Sequence, residues 1–281
     1  MTGYRRLQAS ASRRLGYAVN LKEPRSFNEK VIWKKLWDRN PLLPVTADKV
    51  LVRDYLRQRL GESLASQVVI PTLAIADDPG SIDFNRLPSS FVIKANHASG
   101  TNLIVREGSV TRPEIKRLAA KWMADNYGWY QHEWAYQHIR RKLLVEPLIE
   151  DRAGRLPDDY KFYMFHGACR YIRHIGGRFE SQRHMAFYTP EWEHLDIARG
   201  RARLGSPVMR PDTLDRMLKL ATQLAAEFDF VRVDLYSVED TVLFGELTHY
   251  PASGMSPFKP GSFDFQLGSL WTIDPDYWRV G

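Results

Sequence analysis

The chain has 281 residues, 44% of them hydrophobic and 12% aromatic, enough for one sizeable domain or two small ones with a real core, and this excludes a disordered chain. Its single cysteine, Cys169, excludes an internal disulfide framework and a thiolate metal cluster. The formal charge of +7 is an N-terminal property, because the first sixty residues hold 14 Lys and Arg against 5 Asp and Glu.

That basic segment reads either as a solvated helical face or as a contact for anionic lipid, polymer or nucleic acid. No apolar stretch reaches bilayer length, and the first thirty residues carry arginines without an apolar signal core. The expected compartment is therefore the cytoplasm. In chain order, residues 1–25 read as a loose arm or a docking helix. Ser26 with Glu29 forms a capping-box pattern that opens a helix over 28–38, with Val31, Ile32, Leu36 and Trp37 on one stripe, and Asn40-Pro41 ends it. A second helix is expected to begin near Thr46 to Asp48 and run to about Leu60, stopped by Gly61, with strands over 68–75 and 91–94.

Helix returns over 112–126 and around 133–141, where the aromatic residues from Trp122 to Tyr136 fit a helical core stripe better than a base-stacking platform. The runs 143–149, 160–165 and 170–175 read as three adjacent strands, and 177–210 as a polar loop or excursion. A helix over 211–228 precedes a hairpin of strands 231–236 and 242–247. The order is mixed α+β in two lobes, divided as a basic helical region 1–66, a small lobe 67–150 and a C-terminal lobe 151–281.

Neither a phosphate-binding P-loop nor a G-x-G-x-x-G fingerprint is present. The run FVIKANHASGT instead ends a strand at Lys94 and continues into a small-residue loop containing Ser99 and Gly100, which could set an ammonium and backbone N–H groups on phosphate. A solvated lysine is the plainer alternative. Glu146, Pro147, Leu148 and Ile149 could offer backbone groups and apolar walls to an adenine, Asp158 and Asp159 could reach a ribose, and Lys161 a phosphate; an ordinary acidic turn explains the same residues.

In FVRVDLY, alternation puts Arg232 and Asp234 on one face, and GELTHYPASG does the same for Glu246 and Thr248. Burying such groups together requires pairing or an ion. A structural ion pair accounts for Arg232 and Asp234, whereas carboxylates on neighbouring strands also suit Mg2+, or two ions if Glu246 bridges. His132-Glu133 lacks the second histidine of a zincin motif, since position 136 is Tyr, and no G-x-S-x-G elbow occurs. Cys169 reads as core packing.

In order, SFNEKVIWKKLWDRNP, DKVLVRDYL, LPSSFVIKANHASGTN, VEPLI, DDYKFYMFHG, FVRVDLY and GELTHYPASG resemble the TupA-like branch of the ATP-grasp superfamily, associated with teichuronopeptide and other bacterial surface-polysaccharide gene sets. The resemblance implies an α+β ATP-grasp fold with ATP between two antiparallel sheets and a reduced N-terminal region. It implies that Lys49 and Lys94 hold ATP phosphates under the closing loop, that Glu146 to Ile149 meet adenine, and that Asp159 contacts ribose. Asp234 and Glu246 would bind Mg2+, with Arg232 beside the reacting phosphate; Thr248 stands where many such ligases carry a metal-binding Asn. The implied activity is a carboxylate–amine ligase acting through an acyl phosphate on a surface polysaccharide or its precursor.

Its partners would be a small-molecule or glycan carboxylate and an amine acceptor, with anionic polymer or membrane contact through the basic segment; nucleic acid is not expected. Arg173, Arg178 and His184 are the candidates for the acceptor carboxylate, with a solvated basic loop as the alternative. The rivals are a kinase or glycosyl transferase acting on a sugar hydroxyl, and a non-catalytic nucleotide- or polymer-binding module.

Overall fold

In the computed structural model, residues 4–177, 184–200 and 204–279 are described. The arginine-rich N-terminus forms a helix, α1 (Arg5–Leu15), because Ala11 and Leu15 are buried while Arg5, Arg6, Arg13 and Arg14 stay exposed; Gly16, in left-handed backbone at φ 82°, ends it. Helix α2 (Phe27–Trp37) begins at the complete capping box of Ser26 and Glu29 and buries Phe27, Val31, Ile32 and Leu36. α1 and α2 share one apolar cluster through Ala11, Leu15, Ile32 and Leu36. The chain forms two compact units, Pro41–Arg155 and a unit joining Met1–Asn40 to Leu156–Gly281.

The unit Pro41–Arg155 opens with α3 (Leu42–Ala47), α4 (Val52–Leu60) and α5 (Glu62–Val68). The strands β1 (Ala74–Ala76), β2 (Phe91–Ala95) and β3 (Asn102–Val105) precede α6 (Arg112–Ala124), α7 (Tyr127–Tyr130) and α8 (Trp134–Gln137), and β4 (Leu143–Pro147) closes the sheet. Its order is β1-β4-β2-β3, antiparallel throughout. Phe91, Ile93, Leu143 and Val145 pack there with Ile115, Ala119 and Trp122 of α6, whose start is fixed by a second capping box at Thr111 and Glu114.

The other unit carries β5 (Asp158–Phe165), β6 (Ala168–Gly176), β7 (His184–Tyr188), β8 (His194–Leu195), β9 (Ala198–Arg199), α9 (Leu214–Ala225), β10 (Phe230–Val238), β11 (Thr241–Thr248), β12 (Phe258–Lys259) and α10 (Ser262–Ser269). Six of these strands form an antiparallel sheet in the order β11-β10-β5-β6-β7-β8, and β9 pairs with β12. α9 buries Met217, Leu220, Ala221 and Leu224 and packs against β5, β6 and β10. Phe27 of α2 meets Tyr163, Phe165 and Phe230 at ring centroids 5.9, 6.1 and 5.0 Å, so the first forty residues are built into this unit.

Several expectations change. Residue 68 ends a helix, and the strand expected over 68–75 shrinks to Ala74–Ala76. The helix expected to begin near Thr46 to Asp48 begins at Val52, because the turn at 48–51 separates it from the short helix α3. β4 lies in a different sheet from β5 and β6, so the three apolar runs are not adjacent. Part of 177–210 extends the larger sheet as β7 and β8. The aromatic stripe is not core along its length, because Trp129 and Tyr130 are 63% and 74% exposed. The division 1–66, 67–150 and 151–281 differs from the two compact units, which assign residues 41–66 to the small sheet and 1–40 to the large one. Among the described residues no helix is long and apolar enough to cross a membrane.

Candidate functional site

Within Pro41–Arg155, β2 delivers Lys94 near its end, and Asn96 anchors the turn beyond it. The Asn96 side chain donates to Asp48 Oδ1 and to the Arg140 carbonyl, each at 2.9 Å, and accepts from the Lys142 N–H at 2.7 Å. It therefore ties the end of β2 to the α3–α4 turn and to the approach to β4. Burial raises the Asp48 carboxyl above its usual range, against the pull of its bonds from Val50 and Asn96. Lys49 donates to the Ala98 carbonyl at 2.7 Å, inside the loop that Ser99 and Gly100 expose; Gly100 takes φ +75°, which glycine adopts without strain.

Lys94 does not stand alone. Its ammonium and the Arg53 guanidinium bind the two oxygens of the Glu146 carboxylate, all three side chains being largely buried. Sequence reasoning missed Arg53, whose partner lies 93 residues away. Pro147 ends β4 where β1, whose register closes at Val145, no longer covers it, and Leu148 and Ile149 run on half-buried.

On the larger sheet the register sets Lys161, Asp234 and Glu246 side by side across β5, β10 and β11. Arg232 grips Asp234 with both ends of its fork, Nε to Oδ1 at 2.6 Å and a terminal nitrogen to Oδ2 at 2.7 Å. The same nitrogen reaches Glu246 Oε1 at 3.2 Å and Thr248 Oγ1 at 2.9 Å. Lys161 binds Asp234 on one side and Asp159 at 2.7 Å on the other. Burial alone would lower the Arg232 pKa; the Asp234 charge and hydrogen bonds more than reverse that, so the guanidinium stays protonated. A β-bulge lies just after Asp234, and Gly245 sits opposite it, where a Cβ would crowd the Asp234 carbonyl at 3.0 Å.

The remaining expected residues divide. Asp159, expected at ribose, is buried and bound to Lys161, while Asp158 pairs with His174 at 2.8 Å. Thr248 donates to Glu246 Oε1 at 2.8 Å while accepting from Arg232, so its hydroxyl orients the carboxylate. Arg173 and His184 fall on opposite faces: Arg173 is opposite Lys161 and Phe187, whereas His184 is opposite Gly176 and its ring lies 5.8 Å from that of His174. Burial lowers the His184 pKa, with His174 adding to it. Arg178 lies outside the described residues. Cys169 is no nucleophile, since burial pushes its thiol up to about 12.

Among the described residues no group of three or more His, Cys, Asp or Glu side chains is arranged as a metal site. Mg2+ needs fewer, usually one or two carboxylates with phosphate oxygens and water. Asp234 and Glu246 are direct cross-strand partners, and the three acids Asp159, Asp234 and Glu246 outnumber the two cations Lys161 and Arg232. That donor pair, with a net negative charge, fits such an ion.

A family model described as TupA-like ATPgrasp matches residues 29–272. No curated protein matches the chain. Among solved structures it is similar to a D-alanine–D-alanine ligase from Helicobacter pylori, with 14% identity over 81% of this chain and 62% of that one at a TM-score of 0.44. A D-alanine–D-alanine ligase from Bacillus anthracis complexed with ATP gives 12% identity, 73% and 54% coverage and a TM-score of 0.41. An L-amino acid ligase from Bacillus licheniformis gives 14%, 74% and 42%, and 0.42. The chain thus spans between two fifths and two thirds of these structures' length.

Proposed function

The chain belongs to the TupA-like ATP-grasp family, and from that premise we propose that it is a Mg-ATP-dependent carboxylate–amine ligase serving a bacterial surface polysaccharide or its precursor. The observation that carries this reading is the Lys161–Asp234–Glu246 row with Arg232 bonded to both acids. A structural ion pair would need only Arg232 and Asp234; the second carboxylate, 37% exposed in its side chain, is open to a ligand.

A substrate carboxylate oxygen attacks the γ-phosphorus of ATP, the bond to the β–γ bridging oxygen breaks, and ADP leaves. Arg232 stabilises the charge that develops on the transferred group. An amine then attacks the acyl carbon, phosphate departs with the C–O electron pair, and the amine proton passes to it. Asp234 and Glu246 are the residues that would hold Mg2+, whose charge offsets that of the ATP phosphates. Lys49, Lys94, Lys161 and the loop at Ser99 and Gly100 would bind phosphate, and Glu146 to Ile149 the adenine. The exposed arginines of α1 supply a contact for an anionic polymer or membrane surface. ATP and sugar precursors meet in the cytoplasm, where this reading puts the reaction.

Incubation with Mg-ATP, hydroxylamine and a panel of uronic and amino acids tests the reading. ADP release with a hydroxamate is expected, and Glu246→Gln should slow it by about a hundredfold. A phosphorylated hydroxyl without hydroxamate would make the protein a kinase, and no ADP with any acid would make it a binding module.

A further inference from the structure

Most arginines inside a protein pair with a carboxylate; among the described residues, Arg173 on β6 and Arg199 on β9 lie within ion-pair distance of none. Arg173 projects from the same face of β6 as its cross-strand neighbour Lys161. Among the described residues no acid lies within ion-pair distance of it: it bonds the Tyr163 side chain, one terminal nitrogen is 2.8 Å from Met185 Sδ, the guanidinium sits 5.8 Å from the Phe187 ring centre, and Nε is buried without a partner. Arg199, 4% exposed in this unit, donates to the Tyr163 hydroxyl at 2.7 Å and to the Pro251 carbonyl at 3.0 Å, stacks on Phe258, and likewise leaves Nε without a partner.

Arg199 has the charge of Asp264 nearby, but half-buried Arg173 has no acid at ion-pair distance among the described residues, and a guanidinium partly withdrawn from water favours an anion beside it. The Tyr163 hydroxyl cannot supply a full charge while it remains a phenol, although Arg199, Arg173 and Arg232 together bring its pKa below the ordinary value against the opposing effect of burial. Burial, with Arg199 and Arg232 nearby, pushes Arg173 itself down to about 10. Among the described residues the face is therefore divided along one strand row, with an acidic patch at Asp234 and Glu246 and a positive charge at Arg173 that no acid pairs.

We propose that Arg173, backed by Arg199 and Tyr163, is the binding site for a carboxylate of the substrates, the acid and amide forms of a substrate being told apart there. This rests on the ligase reading and extends it, because the Arg232 edge made by Nε and one terminal nitrogen is already taken by Asp234, Glu246 and Thr248 and is closed to a second acid. A planar guanidinium with free N–H groups takes a carboxylate in two parallel bonds, which an amide cannot reproduce.

The test compares wild type, Arg173→Gln and Arg173→Lys by calorimetric titration in Mg-ADP with four probes, D-glucuronate, D-glucuronamide, L-alanine and L-alaninamide. One acid should bind wild type at least tenfold more tightly than its amide; preference for the uronate identifies the sugar acid as the carboxylate held, and preference for alanine identifies the amine partner. Arg173→Gln should abolish the preference and Arg173→Lys retain part of it, both keeping wild-type affinity for Mg-ADP. Equal binding of acid and amide by wild type, or a full preference in Arg173→Gln, overturns the proposal. Absence of Mg-ADP binding by wild type instead counts against the nucleotide reading, whatever the acid–amide contrast. Should Arg173→Gln fail to fold, the Lys variant decides by the same contrast.

Discussion

Asp234 and Glu246 are chemically alike, yet their surroundings assign them different costs. Asp234 is 2% exposed in its side chain and accepts from both Arg232 and Lys161, whereas Glu246 is 37% exposed and shares one nitrogen of Arg232. Neutralising Asp234 removes the carboxylate shared by two largely buried cations, leaving Lys161 to Asp159 and Arg232 to the more exposed Glu246, so Asp234→Asn should cost about 1–3 kcal/mol in urea unfolding. Glu246→Gln should cost less than about 1 kcal/mol on the same measurement, because solvent screens it. Equal losses would mean that the site is not electrostatically asymmetric. Alternation alone made Arg232, Asp234, Glu246 and Thr248 legible as one face. Lys161's position between Asp159 and Asp234 was not, since which residues stand opposite one another across β5 and β10 is set by register, and a one-residue slip would have turned Lys161 to the other face. The same parity rule separates Arg173 from His184, which a shared basic composition had grouped.

At the scale of elements, the segment after β2 depends on Asn96 more than on its own exposed residues. Asn96 is fully buried and joins three stretches of chain, so Asn96→Ala leaves the Lys142 N–H and the Asp48 carboxylate short of a partner each. The expected loss is about 1–3 kcal/mol for each buried group left unsatisfied. Because Lys49 and Lys94 flank this anchor, the KM for ATP should rise by about tenfold or more in Asn96→Ala, on the order of the 1.4 kcal/mol that a factor of ten represents. Ser99→Ala should leave it near wild type. An unchanged KM in Asn96→Ala would separate the loop from the nucleotide. Helix α2 was legible from its capping box, and the hairpin of β10 and β11 from alternation; both signals are local. The strand expected over 68–75 was not, because the apolar residues Val68 and Ile70 pack equally well at the end of α5 and just after it.

For the whole molecule, the two units were the least legible feature, because what joins residues 1–40 to 156–281 is made of contacts far apart in sequence. Lys34 binds Asp38 and Asp229 at 2.6 Å each, and Asn28 donates to Asp264 at 2.7 Å; the Lys34 pKa is held well above its ordinary value by those two carboxylates although burial works against it. Each unit also encloses a histidine: burial lowers the pKa of His249 well below 6.5, and that of His97 is lowered by burial and then by Arg141. For such a group the unfolded chain takes up a proton that the fold refuses, so stability is complete above about pH 6.5 and declines as pH falls towards the depressed folded value. Asp48, Asp229 and Asp264, raised by burial, act in the opposite sense, gaining stability as pH falls towards their ordinary range. Comparing wild type with His97→Phe cancels these, as both chains keep them. Between about pH 7.5 and 5.5, wild type should lose up to about 1.4 kcal/mol per pH unit below 6.5 more than the variant in urea unfolding. Parallel pH profiles would show that His97 takes up its proton equally in the folded and unfolded chain, and that burial beside Arg141 does not control it.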